Sequence, residues 1–166
     1  VKKALEAIKK AATPTKVSQD FVKSKLGIAG SSGDQVSSFL KKIGFADPSG
    51  VPTDIYRGFR NESTSASAVA QAVRFGYRPL FERNEYVYSE TEENIKGLII
   101  EETGHADDSS ALKQTLSCFR SLLDFADFEE DRSIETVESL PNSPEQINIG
   151  DVSNHDNEKL GLNLSY

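Results

Sequence analysis

The stretch from Ala111 to Ala126 constrains the fold more than any other part of the chain. Leu112, Thr115, Leu116, Phe119, Leu122, Leu123 and Ala126 return at steps of three and four residues, the spacing that places apolar groups on one face of a helix. A stripe of this kind has to be covered by something else in the fold. The spacing therefore predicts a long helix at the centre of the second half of the chain.

The preceding segments also read as helices. Val1, Leu5 and Ile8 form an amphipathic turn pattern that stops before Pro14, because the residue before a proline is steered away from helical geometry. Ser18 is placed to cap a second helix with Phe21, Val22 and Leu26 inward and Gly27 past its end. After the loop "GIAGSSGD", Asp34 or Ser32 is expected to cap a third helix, with Val36, Phe39, Leu40 and Ile43 inward and Gly44 terminating it. Ala68, Val69, Ala72 and Val73 make a stripe of small residues up to Gly76, and Tyr77, Leu80 and Phe81 a further turn or two. Ser89 with Glu92 three residues on reads as a capping box opening a helix through Ile95, Leu98 and Ile99, ended by Gly104.

The helical pattern is interrupted between Gly44 and Asn61, "GFADPSGVPTDIYRGFRN". Asp47, Pro48 and Gly50 suit the first, second and fourth places of a type I turn. With Phe45-Ala46 and Val51 on either side, the prediction is a stubby hairpin. Thr53 then caps a short helix whose Tyr56 and Phe59 pack back on the earlier helices. Three helices followed by a small hairpin is the order of a winged-helix head, here expected over residues 1–62. Residues 63–128 are expected as a helical subdomain packed on it, 129–159 as an acidic linker or tail, and 160–166 as the start of a strand, since Leu160, Leu162, Leu164 and Tyr166 alternate with Gly161, Asn163 and Ser165. The expected fold class is mainly α.

Charge is unevenly distributed. The net charge is −7, but residues 1–60 hold eleven Lys/Arg against five Asp/Glu, residues 61–126 six against eleven, and residues 127–166 two against ten. A basic first third leaves nucleic acid open as a partner although the whole chain is acidic. No run of apolar residues nears the about 18 that span a membrane. The single cysteine, Cys118, excludes an internal disulfide and fits a reducing compartment. The chain has no methionine, so it is read as a piece of something longer.

Candidate site residues fall into a few groups. Lys16, Lys23, Lys25, Lys41, Lys42, Arg57 and Arg60, with Gln35 and Ser38 on the outer side of the third helix, form either a nucleic-acid face or a solvated lysine surface. Asp34 at the start of that helix opposes phosphate. Tyr56, Phe59, Arg60 and Asn61 form a pointed corner. Arg60 either grips an anion or pairs with an acid such as Asp54 or Glu62, and Asn61 closes the short helix. Gly27, Gly30 and Gly33 read as a helix-joining loop, because no Gly-Lys-Ser/Thr follows. Cys118 reads as a packed thiol: His105 and His155 lie in loop-like sequence with no positioned acid, so a nucleophile and its base do not come together. Asp124, Asp127, Glu129, Glu130 and Asp131 lack calcium-loop spacing and read as a solvated helix end. No metal or cofactor is expected, and no nucleophile, base and orienting group can be assembled.

"FLKKIGFADPSGVPTDIYRGFRN", "AVRFGYRPLFERN", "ETG" and "TLSCFRSLLDFADF" resemble a prokaryotic family classed as a domain of unknown function. The resemblance rests on Phe39 to Gly44, Gly50 to Thr53, Tyr56 with Phe59, Arg60 and Asn61, and Phe119 with Leu122, Ala126 and Phe128. It covers about residues 5 to 128. It implies no known reaction. It implies a winged-helix-like start, a prokaryotic cytoplasmic setting, a strand-and-helix module after a variable linker, and an association with mobile-element or defence genes. The combined expectation is a non-catalytic recognition or regulatory module, a protein-interaction adaptor. DNA binding through residues 1–60 is the alternative, and oligomeric state, a homodimer included, is left open.

Overall fold

The computed structural model describes residues 1–129. Among them it forms eight α-helices: α1 (Lys2–Lys10), α2 (Gln19–Ser24), α3 (Ser31–Lys42), α4 (Asp54–Arg60), α5 (Ser65–Gly76), α6 (Arg78–Arg83), α7 (Glu92–Thr103) and α8 (Ser110–Leu123), with a single 3-10 turn at Val87–Ser89. The fold is mainly helical, as the spacing predicts. The expected tail over 129–159, Glu129 apart, and the strand over 160–166 lie outside the described residues.

The helix α8 has the covering its stripe demands: α5 and α7 pack on it, and α4 packs on α5. Leu112, Phe119 and Leu122 are fully buried. The small residues of α5 let it lie between two neighbours, with Ala68, Val69, Ala70, Ala72 and Val73 all buried. One apolar cluster runs from Leu5 and Ile8 of α1 through Phe45, Tyr56 and Phe59 to Leu122 and Phe128.

Helix ends show where local chemistry decides and where it does not. Ser18 caps α2 by accepting the Phe21 N–H at 3.1 Å, as expected. The third helix begins earlier than either expected cap: Gly30, at φ 70°, precedes Ser31, so Ser32 and Asp34 lie inside the first turn. Asp34 instead pairs with Lys23 across the α2–α3 gap at 2.7 Å. Ser89 does not open α7. It sits in the 3-10 turn, and Thr91 takes the cap, accepting the Asn94 N–H at 3.3 Å. Gly44 and Gly104 end their helices with φ of 77° and 67°, a left-handed geometry that glycine adopts without steric cost.

The expected hairpin between α3 and α4 is reduced to a single antiparallel bridge, Ala46 to Pro52. Proline has no N–H to extend a ladder, and Asp47 turns its own carboxylate inward, accepting from Ser49 Oγ at 2.6 Å and from the Val51 N–H at 2.9 Å. Those bonds, the Ser49 hydroxyl first, hold the Asp47 carboxyl below its ordinary pKa. The turn is tied back to the core by Val17 N–H donating to Gly50 O at 2.7 Å.

At the other end, Phe128 closes the described chain. Its ring stacks on Tyr88 with centroids 4.0 Å apart and planes 6° from parallel. The Arg74 guanidinium lies 5.4 Å from the Phe128 centroid, and Asp127 N–H donates to Ala66 O at the start of α5 at 3.1 Å.

Candidate interaction site

The corner that the sequence singles out is built inward. Tyr56 and Phe59 are fully buried and meet Phe45 at centroid distances of 6.0 and 5.3 Å. Thr53 stands at the start of α4 but does not cap it. Its hydroxyl donates to Gly44 O and, at 3.2 Å, to Phe45 O, and its N–H donates to Phe45 O at 3.1 Å, so the threonine binds the helix to the bridge. Arg60 pairs with neither Asp54 nor Glu62. It donates from Nη1 to Thr13 Oγ1, 47 residues away in sequence. Asp54 is held by Arg57 at 2.9 Å instead. Asn61 closes the helix as expected, its Oδ1 accepting from the Ser63 N–H and hydroxyl.

One group in the corner is unsatisfied. The Tyr56 Oη is buried with no hydrogen-bond partner among the described residues. Burial pushes its pKa up to about 12, the nearby Arg60 charge lowering it only in part.

The structure separates the basic residues. Lys16 and Lys25 line a groove between the α1–α2 loop and α2, together with Thr13 and Asp20. Gln35, Ser38 and Lys42 share a shallow groove on the outer side of α3 with Gln19, Asp34 and Phe39. Lys23 is engaged by Asp34 and Arg57 by Asp54. Lys41 runs toward the Gly50 turn, where its Cε lies 3.7 Å from the place a Gly50 Cβ would occupy.

A different feature gathers apolar and polar groups at the surface. A cleft of about 240 Å³ lies between α3 and α8, lined by Phe39 and Ile43 on one side and Ala111, Gln114, Thr115 and Cys118 on the other, with Gly76 and Tyr77 at its floor and Lys42 on its wall. Close backbone approach makes it. A Cβ on Gly76 would sit 2.9 Å from Ile43 Cγ2 and 3.1 Å from its Cα, and one on Gly44 2.9 Å from the Phe75 ring. Phe75 follows from this packing: its ring lies across Gly44 beside the Ile43–Gly76 contact, and it is 61% exposed. Lys42 makes no ion pair among the described residues, and the lining carries no carboxylate.

Burial shifts two titratable groups of the lining. Burial pushes the Cys118 thiol up, the Val1 amine and Lys42 pulling it back only in part, the opposite of the depressed pKa that makes a thiolate nucleophile. Burial also raises Tyr77, with Cys118 adding to the effect. The Tyr77 ring is fixed edge-on against Phe119 at 4.9 Å. Among the described residues no three of His, Cys, Asp and Glu come close enough to hold a metal ion, and no helix is long and apolar enough to cross a membrane.

Phe75 and Gln114 are given no role in the sequence reading, and Thr115 appears there only as a member of the α8 stripe. The signal for Phe75 was present. It is a large aromatic group seven residues past Ala68 and three past Ala72, at the edge of the small-residue stripe of α5, and it is exposed where the stripe is buried.

The described residues thus form a mainly helical body with a cleft of apolar and polar groups between α3 and α8 and a cation beside it. The chain belongs to a family of unknown function (DUF5343), whose family model matches residues 1–133. No curated protein and no solved structure matches it.

Proposed function

We propose that this chain is a non-catalytic recognition module, an adaptor that binds a protein partner at the α3–α8 cleft. One large apolar side chain of the partner enters between Phe39, Ile43 and Tyr77, a neighbouring carboxylate meets Lys42, and Phe75 packs against the partner's backbone. The observation that carries the reading is Phe75, exposed beside a cleft of about 240 Å³. That volume is below the about 300–1,000 Å³ of small-molecule sites and suits a single anchoring side chain, the usual form of an interface hot spot. Selection of displayed peptides on the folded chain tests it. Enriched peptides carry one large apolar residue flanked by Asp or Glu, and they lose binding to Ala111→Trp, which fills the cleft from its exposed edge. Enrichment of cationic peptides, or binding indifferent to Ala111→Trp, refutes the proposal.

A second reading, DNA binding by a winged-helix-like head, draws on the row of Gln35, Ser38 and Lys42 along α3. It calls for an affinity that falls steeply as salt rises and that Gln35→Ala and Ser38→Ala weaken while Ala111→Trp does not. Negligible binding at low salt removes it.

A further inference from the structure

The sequence offers Arg60 two fates, an outside anion or a nearby acid, and the structure removes the second. Arg60 is exposed and makes no ion pair among the described residues. Its hydrogen bond runs from Nη1 to Thr13 Oγ1, which leaves the rest of the guanidinium fork for another acceptor. Thr13 lines the groove between the α1–α2 loop and α2, and so do Lys16 and Lys25. We infer that Arg60, Lys16 and Lys25 bind the phosphoryl group of a small organic phosphate ester in this groove. The site shares no lining residue with the α3–α8 cleft and does not depend on it.

Three observations converge on that chemistry. The first is a surplus of donors. Lys16 and Lys25 make no ion pair among the described residues, and both side chains can only donate. Thr13 Oγ1 accepts from Arg60 and Ser18 Oγ accepts from the Phe21 N–H, so each hydroxyl keeps its own proton for an outside acceptor. The second is charge. Asp20 is the one carboxylate in the lining, and with Arg60 at the edge three cations face a single anion. A phosphate monoester brings close to two negative charges and three acceptor oxygens, and it matches the guanidinium fork bidentately. The third is size and polarity. The groove holds about 600 Å³, inside the about 300–1,000 Å³ of small-molecule sites. Ala11, Ala12 and Pro14 give it an apolar wall, which an organic ester covers and free phosphate leaves in water.

Titration calorimetry on the full chain at low salt tests the inference, with phenyl phosphate, inorganic phosphate and a short DNA duplex as probes. Phenyl phosphate binds, and inorganic phosphate binds several-fold more weakly. Arg60→Gln weakens phenyl phosphate by about ten-fold or more, the scale of a charge-assisted hydrogen bond, and Arg60→Lys recovers only part of the loss because an ammonium has no fork. Asp20→Asn acts in the opposite direction and strengthens binding about two- to five-fold, the scale of one exposed charge pair. A gain of that kind does not arise from damage to the fold, and urea midpoints confirm that each variant is folded. Ala111→Trp, in the α3–α8 cleft, leaves phenyl phosphate binding unchanged. Absence of heat with phenyl phosphate overturns the inference, as does equal affinity in the parent chain and Arg60→Gln. Inorganic phosphate binding as tightly as the ester overturns it too, since the occupant is then the free ion. Loss of binding in Ala111→Trp places the probe at Lys42 and overturns the site, and binding confined to the duplex makes the groove part of a nucleic-acid face instead.

Discussion

The Gly44–Asn61 corner and the α3–α8 cleft differ in almost every respect, although Ile43 of the cleft and Gly44 of the corner are adjacent in sequence. The corner is dense in family-motif residues and turns its aromatic ones inward, leaving Val51, Arg60 and Asn61 exposed. Phe45, Tyr56 and Phe59 are buried, and Thr53 bonds two carbonyls across the gap to the bridge. The cleft is lined largely from the same family-like stretches, Phe39, Lys42, Ile43, Gly76, Tyr77, Thr115 and Cys118, but it leaves Lys42 exposed, with Phe75 exposed next to Gly76. The contrast teaches that the same recognisable stretches build a buried scaffold in one place and an open surface in another, and that packing decides which.

The largest effect that separates the two regions is expected from paired aromatic truncations. Phe59→Ala empties a fully buried site and costs about 3–5 kcal/mol, whereas Phe75→Ala stays within about 0.5 kcal/mol. Urea denaturation measures both, and comparable losses would break the comparison. Next come the glycines. Gly44→Ala forces a Cβ into the left-handed region and against Phe75, costing about 1–2 kcal/mol, while Gly97→Ala, in α7 with nothing within 4 Å of its added Cβ, gains about 0.5–1 kcal/mol. A loss at Gly97 would show that the open face of α7 is not open.

Smaller effects sharpen the picture. Thr53→Val removes the hydroxyl that donates to the Gly44 carbonyl, while its N–H still serves the Phe45 carbonyl, and costs about 1 kcal/mol, whereas Thr115→Val in the cleft shifts the urea midpoint little and changes only peptide binding. Tyr56→Phe removes a buried hydroxyl with no partner and stabilises by up to about 1 kcal/mol. Its alkaline signature has a definite sign. The folded pKa, about 12, lies above the ordinary value near 10, so the neutral form is the one the fold retains. Stability from this source is complete below about pH 10 and is lost as pH rises through 10 toward 12. Urea midpoints measured from pH 8 to 11.5 fall in the parent chain and fall less in Tyr56→Phe. An identical decline in both would place the Tyr56 hydroxyl in water.

What the sequence discloses follows the range of the interactions involved. The stripe of α8, the Ser18 cap, the left-handed ends at Gly44 and Gly104 and the burial of Tyr56 and Phe59 depend on spacing or on groups a few residues apart, and each is legible. The run Ser89-Glu90-Thr91-Glu92 offers two caps two residues apart, and local chemistry does not choose between them; the 3-10 turn holding Ser89 does. Arg60 finds Thr13 across 47 residues, and the cleft depends on the ends of α3 and α5 meeting at Gly44 and Gly76 beside α8, so neither could be read along the chain. The lysines illustrate the same limit. Their number is plain from sequence, but their dispersal over a loop groove, an α3 groove and two ion pairs is set by tertiary packing.

The clasp formed by Tyr88, Phe128 and Arg74 has a mechanical consequence. Whatever tugs on the chain beyond Glu129 loads a flat ring-on-ring stack and the Asp127–Ala66 backbone bond before it loads α8.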